Sequence, residues 1–344
     1  MPKKITILAL LFTLFFAGTA LATDVTLRPD HPDRYVVVKG DTLWDIAGRF
    51  LKDPWLWPDI WYANPQIKNP HLIYPGDVIK LVYVNGKPQL QLQRGRPVVK
   101  LEPHIRVEQL PRAIPTIPLE AIRPFLARPL VTGPDRLKSA PYVVQSAGEH
   151  VITGAGGRVY VRGIKNDKAT NYVIVRPGGP YRDGRTGEIL GYEALYVGDA
   201  QLVRGGDPAT FKVVTSKREV RVGDRLVPSD EKPYNANFMP HPPAHKVDGQ
   251  IISVVDGVTQ IGQYQTVVLD RGTRNGLNVG TVLAVYQRGQ VVPDTVSGKT
   301  GDTVKLPDER AGIVMVFRTF DRVSYALVMR ATTSMHVLDF VRNP

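Results

Sequence analysis

Histidine is the residue type in this chain that could most directly support metal or acid–base chemistry, and the chain has seven. One pair, His241 and His245, has the i, i+4 spacing that places two ligands on one face of a helix. Pro242 and Pro243 lie between them, and proline disfavours a helix interior. No His-x-His pair accompanies them. The pattern favours a solvated linker over a zinc site, so we predict no metal and no other cofactor.

Nucleophilic catalysis finds little support in the residues present. The chain has no cysteine, which excludes thiol nucleophiles, thiolate metal ligands and disulfide bonds. The Gly-x-Ser-x-Gly pattern of many serine hydrolases is also absent. A pair of carboxylates acting on a glycosidic bond stays open, because there are 32 Asp and Glu residues and no pair stands out. We therefore predict that the protein is not an enzyme.

The strongest local pattern begins at Tyr35, where an apolar run to Val38 predicts a strand. A helix is predicted to begin at Thr42, because Asp45 lies three residues further on and the two approach a capping box. The apolar residues that follow recur at i, i+3, i+4 and i+7, as on one face of a helix. They are Leu43, Ile46, Ala47 and Phe50.

Proline marks the limits of the next elements. Pro54 is expected to end the first helix, and Pro58 is favoured at the first position of a second one. Asn64 and Pro65 form a stop signal for that second helix. The residues Val78–Leu81 then predict a closing strand. The predicted order is strand, helix, helix, strand.

These residues resemble the LysM module, a small βααβ domain that binds glycans containing N-acetylglucosamine. The matching stretches are Tyr35–Val37, Gly40–Ala47, Asn64–Pro65 and Ile73–Ile79. One departure is Asp53–Pro58, which is longer and more aromatic than in a minimal module. The resemblance covers this part of the chain only.

The resemblance implies a glycan-binding groove between two loops. The first loop consists of Gly40, Asp41, Thr42 and Leu43, and the second of Leu72, Ile73, Tyr74, Pro75 and Gly76. Backbone N–H and C=O groups on such loops can pair with an acetamido group, while apolar side chains cover its methyl group.

Simpler roles for some of these residues stay open. Asp41 and Thr42 could serve only as helix caps, and Leu43 could belong to the core. Trp55 and Trp57 precede the second helix, where they could either complete the core or extend a platform for sugars. The sequence does not decide between the two.

The first 22 residues have the pattern of a secretory signal peptide. Lys3 and Lys4 precede an apolar run, and Ala20-Leu21-Ala22 is a small-x-small cleavage site. The run is shorter than the about 20 residues that a spanning helix needs. We therefore expect Sec-dependent export to the periplasm and cleavage after Ala22.

The formal net charge is +12, and basic residues and prolines are concentrated between residues 85 and 141. The charge fits either an acidic partner or a solvated basic surface, and both stay open. Nucleic acid is not among the predicted partners.

The proline density between residues 85 and 141 favours an extended, semi-rigid spacer. Within it, Leu119–Leu126 could form one or two helical turns, and Asn85-Gly86 predicts a hairpin turn.

The remaining chain, Tyr142–Pro344, has short runs rich in Val, Ile, Tyr and Thr separated by turn residues, which predicts β structure. It also suggests an internal repeat, because a shift of 115 residues aligns Asp224 with Asp339 and Val222 with Val337. We predict two related β modules and an α+β fold class overall. The predicted parts are a signal peptide (1–22), a flexible arm (23–34), a LysM domain (35–84), a basic Pro-rich connector (85–141), β-rich modules (142–230 and 246–344) and a linker between them (231–245).

This order of parts resembles the type IV pilus secretin-associated protein family. In that family the LysM module holds the cell wall, and the protein decorates and anchors the secretin ring of the outer membrane. The resemblance implies a non-catalytic protein associated with the cell wall and outer membrane. Its implied partners are peptidoglycan and a secretin ring that carries several copies. Two alternatives stay open, namely a LysM-targeted cell-wall hydrolase and a general envelope adaptor.

Overall fold

The computed structural model of the protein describes residues 25–61, 72–93, 113–126, 131–133, 137–148, 151–164, 169–229, 238–255, 260–296 and 301–344. Its helices are α1 (Leu43–Phe50), α2 (Trp57–Trp61) and α3 (Leu119–Leu126), with 3₁₀ helices at Pro54–Leu56 and Thr273–Asn275. Its strands are β1 (Arg34–Val36), β2 (Val78–Val84), β3 (Lys87–Gln93), β4 (Val131–Thr132), β5 (Tyr142–Ser146), β6 (Arg158–Arg162), β7 (Asn171–Arg182), β8 (Ile189–Arg204), β9 (Ala209–Ser216), β10 (Arg225–Pro228), β11 (Asp248–Val254), β12 (Gln260–Ile261), β13 (Thr266–Leu269), β14 (Val282–Gln287), β15 (Val291–Pro293), β16 (Thr303–Lys305), β17 (Glu309–Thr319), β18 (Ser324–Ala331), β19 (Met335–His336) and β20 (Phe340–Arg342).

The N-terminal unit contains the predicted first helix. Thr42 is its N-cap, with a side-chain oxygen that accepts a hydrogen bond from the Asp45 N–H. All four residues of the predicted apolar stripe are buried in α1, so this helix is confirmed. A 3₁₀ turn at Pro54 precedes α2, which begins one residue before Pro58. The predicted stop at Asn64 and Pro65 lies outside the described residues.

A three-stranded antiparallel sheet completes this unit, in the order β1-β2-β3. The predicted turn at Asn85 and Gly86 joins β2 to β3, and both residues have positive φ values, 51° and 76°. Such values suit an Asn-Gly hairpin turn. β3 pairs with β2 along its whole length and buries Leu90, so this stretch belongs to the sheet and not to a spacer.

Six strands of the next unit form a ring in the order β5-β6-β9-β8-β7-β10, because β8 pairs with β9 in addition to β7. Apolar side chains at every second position point into its interior, as shown by Val159 and Val161 of β6. This period of two is that of strands with one face buried. Strand β4 pairs with β8 at Tyr192 and Glu193, beyond the stretch of β8 that pairs with β9.

The C-terminal unit is a closed six-stranded barrel, in the order β11-β13-β18-β17-β14-β20. If the six strands of each ring are numbered in chain order, both rings have the same order of hydrogen-bonded neighbours: first, second, fifth, fourth, third, sixth. A two-stranded ribbon, β15–β16, projects from the chain between β14 and β17.

The turn before the last strand of each ring has the same construction. Asp224 accepts a hydrogen bond from the Arg221 N–H at 2.9 Å, and Asp339 accepts one from the His336 N–H at 2.8 Å. Both carboxylates are buried. The residue before each aspartate has positive φ, and the two positions are again 115 residues apart.

The outer face of the C-terminal barrel is covered by the N-terminal unit. Along β17, Val314 and Val316 face the barrel interior, whereas Met315 and Phe317 join the apolar cluster that contains the tryptophans of the N-terminal unit. Helix α3, predicted as one or two turns, has eight residues and packs into the same cluster. These units therefore share one continuous apolar core.

The two rings also contact each other. The hydroxyl groups of Tyr181, in β7, and Tyr325, in β18, lie 3.0 Å apart in a buried hydrogen bond. Burial raises the pKa of both tyrosines. Among the residues that the structure describes, the helices are all too short or too polar to cross a bilayer.

Candidate functional site

The two predicted loops lie side by side at one end of the three-stranded sheet. Val37 follows β1, and its C=O accepts a hydrogen bond from the Gly76 N–H at 2.8 Å. The Val37 N–H donates to the Asp77 C=O at 2.9 Å. These two bonds hold the first loop, Gly40–Leu43, beside the second, Leu72–Gly76. All nine predicted site residues are described.

In the first loop, polar side chains hold the backbone in place. Asp41 is buried, and its carboxylate accepts hydrogen bonds from the Tyr35 hydroxyl at 3.0 Å and the Val38 N–H at 2.9 Å. Burial raises the pKa of Tyr35, and the hydrogen bond to Asp41 raises it further. Thr42 caps α1, and its hydroxyl also donates to the Asp45 carboxylate at 2.7 Å. Gly40 is exposed, with a φ of 101°.

The second loop contains a tight turn of its own. The Asp77 side chain accepts from the Tyr74 N–H at 3.0 Å, and the Asp77 N–H donates to the Tyr74 C=O at the same distance. Gly76 has a φ of 96°, which a residue with a side chain rarely adopts. Ile73 is fully buried, whereas Leu72 and Pro75 are exposed.

A third piece of chain lies between the two loops. The Leu43 N–H donates to the Pro115 C=O at 3.0 Å, and the Trp44 N–H donates to the Thr116 C=O at 3.1 Å. On the other side, the Ile114 N–H donates to the Ile73 C=O at 2.8 Å. Residues 113–118, which we call the groove segment, therefore occupy the space in which the sequence predicts a glycan.

Sequence reasoning missed the groove segment, because residues 113–118 lie in the proline-rich region interpreted as a spacer. Ile114 and Ile117 are buried, with 6% and 1% of their surface exposed. The available signal was the pair of isoleucines within Ala-Ile-Pro-Thr-Ile-Pro, since apolar residues in a free spacer have nothing to pack against.

The tryptophans belong to the core. All four are buried, and Trp55 and Trp57 have only 5% and 1% of their surface exposed. Trp57 and Trp61 pack edge to face, with their ring centroids 6.3 Å apart. The two residues whose role the sequence left open therefore complete the core, and they present no face on which a sugar could stack.

The groove is suited to amide groups. Leu43 and Trp44 are the first residues of α1, where backbone N–H groups have no partner within the helix. These two donors and the Ile73 acceptor pair with peptide groups of the groove segment. An acetamido group has the same chemistry, with one C=O and one N–H. Leu43 itself is buried, so it contributes its backbone rather than its side chain.

His241, one of the two histidines considered for a metal site, is held on the C-terminal barrel. Its N–H donates to the Gly280 C=O at 3.1 Å, and its C=O accepts from the Val282 N–H at 2.9 Å. Its Nδ1 lies 2.9 Å from the Pro242 C=O. His245 is exposed. Within the described ranges, three or more His, Asp or Glu side chains nowhere gather closely enough to hold a metal ion.

A basic cavity of about 670 Å³ lies next to His245, where the tip of the β7–β8 hairpin meets the C-terminal barrel. Its arginines form ion pairs: Arg185 with Asp248 at 2.8 Å, Arg274 with Asp321 at 3.0 Å, and Arg271 with Asp270 at 3.2 Å. The pairing neutralises much of the positive charge. Arg185 links the hairpin to the barrel through Asp248, and Arg271 does so through Asp183 at 3.5 Å, whereas the other two pairs lie within the barrel.

Comparison with known proteins identifies the N-terminal unit. Residues 35–82 match the family described as the LysM domain. The chain is also similar to the uncharacterized protein YqbP of Bacillus subtilis (strain 168), with 42% identity over 60 residues. That similarity covers 14% of this chain and 27% of YqbP. The chain therefore spans about a quarter of the length of the curated relative that it matches. LysM is a binding domain, so the matched part indicates carbohydrate binding rather than catalysis.

Proposed function

We propose that this protein binds peptidoglycan through the groove between Gly40–Leu43 and Leu72–Gly76. The observation that carries the proposal is the set of backbone groups in the groove, two N–H donors and one C=O acceptor, which already pair with amides. Peptidoglycan glycans carry an acetamido group on their sugars, and the match to LysM over residues 35–82 supports this class of ligand.

In the proposed complex, each loop residue has a defined role. The N–H groups of Leu43 and Trp44 donate to the acetamido C=O, and the Ile73 C=O accepts from the acetamido N–H. Leu72, Tyr74 and Pro75 cover the apolar face of the sugar. The remaining loop residues act indirectly by holding the backbone, and they are Gly40, Asp41, Thr42 and Gly76.

The test is a pelleting assay with purified sacculi and the full chain. Leu72, 46% exposed, is replaced in a Leu72→Asp variant, and Val222→Asp is the matched control because Val222 is 63% exposed on a turn of the first ring. Placing a charge against the sugar is expected to reduce retention about tenfold, equivalent to about 1.4 kcal/mol. A soluble oligomer of N-acetylglucosamine should compete with the wild-type chain. Equal retention of Leu72→Asp and wild type would contradict this groove as the binding site.

The proposal extends to the cell envelope. The protein is exported to the periplasm, loses residues 1–22, and uses its LysM domain to attach an outer-membrane secretin complex of the type IV pilus to the wall. The order of its parts supports this role, because the two β rings offer surfaces apart from the groove. Several copies of the protein on one secretin ring would strengthen weak wall binding about 10²- to 10⁴-fold through effective concentration.

Three measurements test this wider role. The mass of the mature protein should correspond to a chain that begins at Thr23. A full-length fluorescent fusion should co-localise with a labelled secretin and lose that position in cells that lack the secretin. A zymogram on sacculi tests the hydrolase alternative, and clearing by the purified protein would favour that alternative over a binding role.

A further inference from the structure

The groove segment uses the same groups that the proposed ligand would need. The N–H groups of Leu43 and Trp44 bond to the carbonyls of Pro115 and Thr116, and the Ile73 carbonyl bonds to the Ile114 N–H. Each of these groups makes its bond to an amide of the chain itself. An acetamido group of a glycan cannot reach them until the segment leaves.

The side chains of the segment also fill the space around these bonds. Ile114 is 6% exposed, Ile117 is 1% exposed, and both join the apolar cluster of the LysM core. Thr116, between them, is 3% exposed. Since these residues lie among the core residues of the LysM domain, the segment blocks the groove sterically as well as chemically.

The segment is also tied to the C-terminal part of the chain. The Thr116 hydroxyl oxygen accepts a hydrogen bond from the Phe238 N–H at 3.3 Å. Helix α3 follows the segment directly, and its Phe125 C=O accepts from the Arg318 guanidinium of β17 at 2.7 Å. A change at the surface of the C-terminal barrel can therefore act on the segment through these contacts.

We infer that the groove segment is an internal competitor that occupies the peptidoglycan site and must be displaced before the wall is bound. The inference rests on the proposed function of the groove. If only a fraction of the molecules have an open groove, the apparent affinity for peptidoglycan equals the intrinsic affinity multiplied by that fraction. Wall binding is consequently weak while the segment is docked and strong when it is released.

The first test locks the segment in place. Because the chain has no cysteine, Ile73→Cys combined with Ile114→Cys introduces the only two thiols, at positions joined by a backbone hydrogen bond. The oxidised and reduced forms of this one protein are compared in the sacculus pelleting assay, with titration of free thiols to measure the disulfide. The reduced form should be retained about tenfold or more above the oxidised form. Equal retention of the two forms overturns the inference.

The second test releases the segment. Ile114→Asp combined with Ile117→Asp places two charges in an apolar space and should expel the segment, raising retention by sacculi about tenfold or more. The matched control is Val151→Asp with Ile152→Asp, two exposed positions where retention should equal that of the wild type. Unchanged retention of a folded release variant overturns the inference.

The two tests separate this inference from the proposed function. If the reduced, released and wild-type chains are retained equally well, the groove binds the wall without competition, and the inference alone is wrong. If none of these folded chains is retained, the proposed function is wrong and the inference falls with it. The tryptophan fluorescence of the LysM core verifies folding, since all four tryptophans lie there.

Discussion

At the scale of single residues, the groove of this protein is formed by backbone whose position depends on a few polar side chains. Asp41 accepts from Tyr35 and Val38, and Thr42 exchanges hydrogen bonds with Asp45. The side chains of Asp41 and Thr42 are therefore used inside the protein. The groups left for a ligand, once the groove segment is displaced, are the N–H donors of Leu43 and Trp44 at the start of α1.

Replacing Thr42 with alanine removes the N-cap of α1, because the Asp45 N–H loses its side-chain acceptor. We expect Thr42→Ala to lower the free energy of unfolding of the LysM domain by about 1 kcal/mol, and Thr42→Ser to preserve it. Urea unfolding followed by tryptophan fluorescence measures the difference. Loss of sacculus binding by Thr42→Ala without any change in stability would show that Thr42 contacts the glycan directly.

Asp270 is a buried carboxylate in the C-terminal barrel. Its Oδ1 accepts from the Gln250 N–H at 2.7 Å, and its Oδ2 lies 3.2 Å from the Arg271 guanidinium. Burial raises the pKa of Asp270 above its ordinary value, and the lowering by Gln250 and Arg271 does not offset it. The folded chain therefore binds the proton more tightly than the unfolded chain. The resulting stability is fully present below the unfolded pKa, about 3.9, and is lost as pH rises through the folded pKa.

An Asp270→Asn variant lacks this pH dependence, because the amide carries no charge while its oxygen can still accept from Gln250. We expect the stability of Asp270→Asn relative to the wild type to increase as the pH rises from about 4 to about 7. Thermal melts by circular dichroism across this range measure the change. Glu309→Gln, at an exposed position on β17, is the control for loss of one negative charge. A relative stability that falls with rising pH would contradict the assignment.

At the scale of elements, the additional strand β3 completes the LysM sheet. Leu90 is fully buried and lies opposite Leu81 of β2. We expect Leu90→Ala to destabilise the LysM domain by about 2–5 kcal/mol, since it leaves a cavity in the core. Gln91→Ala, at the neighbouring exposed position of β3, should have little effect. Urea unfolding followed by tryptophan fluorescence distinguishes them, and equal stability of the two variants would mean that β3 is dispensable.

Elements with a local signal could be predicted from the sequence. The N-cap at Thr42, the apolar stripe of α1 and the turn at Asn85-Gly86 each depend on residues within a few positions of one another. The groove segment depends instead on contacts between positions about 40 and 70 residues apart, such as Ile114 with Ile73 and Pro115 with Leu43. The order of strands in each ring likewise depends on hydrogen bonding between strands that lie far apart in the sequence. The alternation of apolar and polar residues along a strand does not specify its partners.

At the scale of the whole molecule, the LysM domain packs on the C-terminal barrel through apolar and polar contacts. The Tyr264 hydroxyl donates to the Asp45 carboxylate at 3.3 Å, and the Arg330 guanidinium donates to the Lys52 C=O at 3.4 Å. Burial raises the pKa of Tyr264, and the negative charge of Asp45 raises it further. Between the two units lies Ile122 of α3, which is fully buried in the shared apolar cluster.

Because this cluster is continuous, we expect the LysM domain and the C-terminal barrel to unfold together in the wild type. Tryptophan fluorescence reports the LysM domain alone, whereas circular dichroism is dominated by the β rings, so the two transitions should coincide. Ile122→Asp places a charge in the cluster and should separate them, with the tryptophan transition at the lower temperature. Glu120→Gln, at an exposed position of α3, is the matched control and should leave a single transition. Coincident transitions in a folded Ile122→Asp variant would mean that α3 does not couple the units, and separate transitions in the wild type would contradict a shared core.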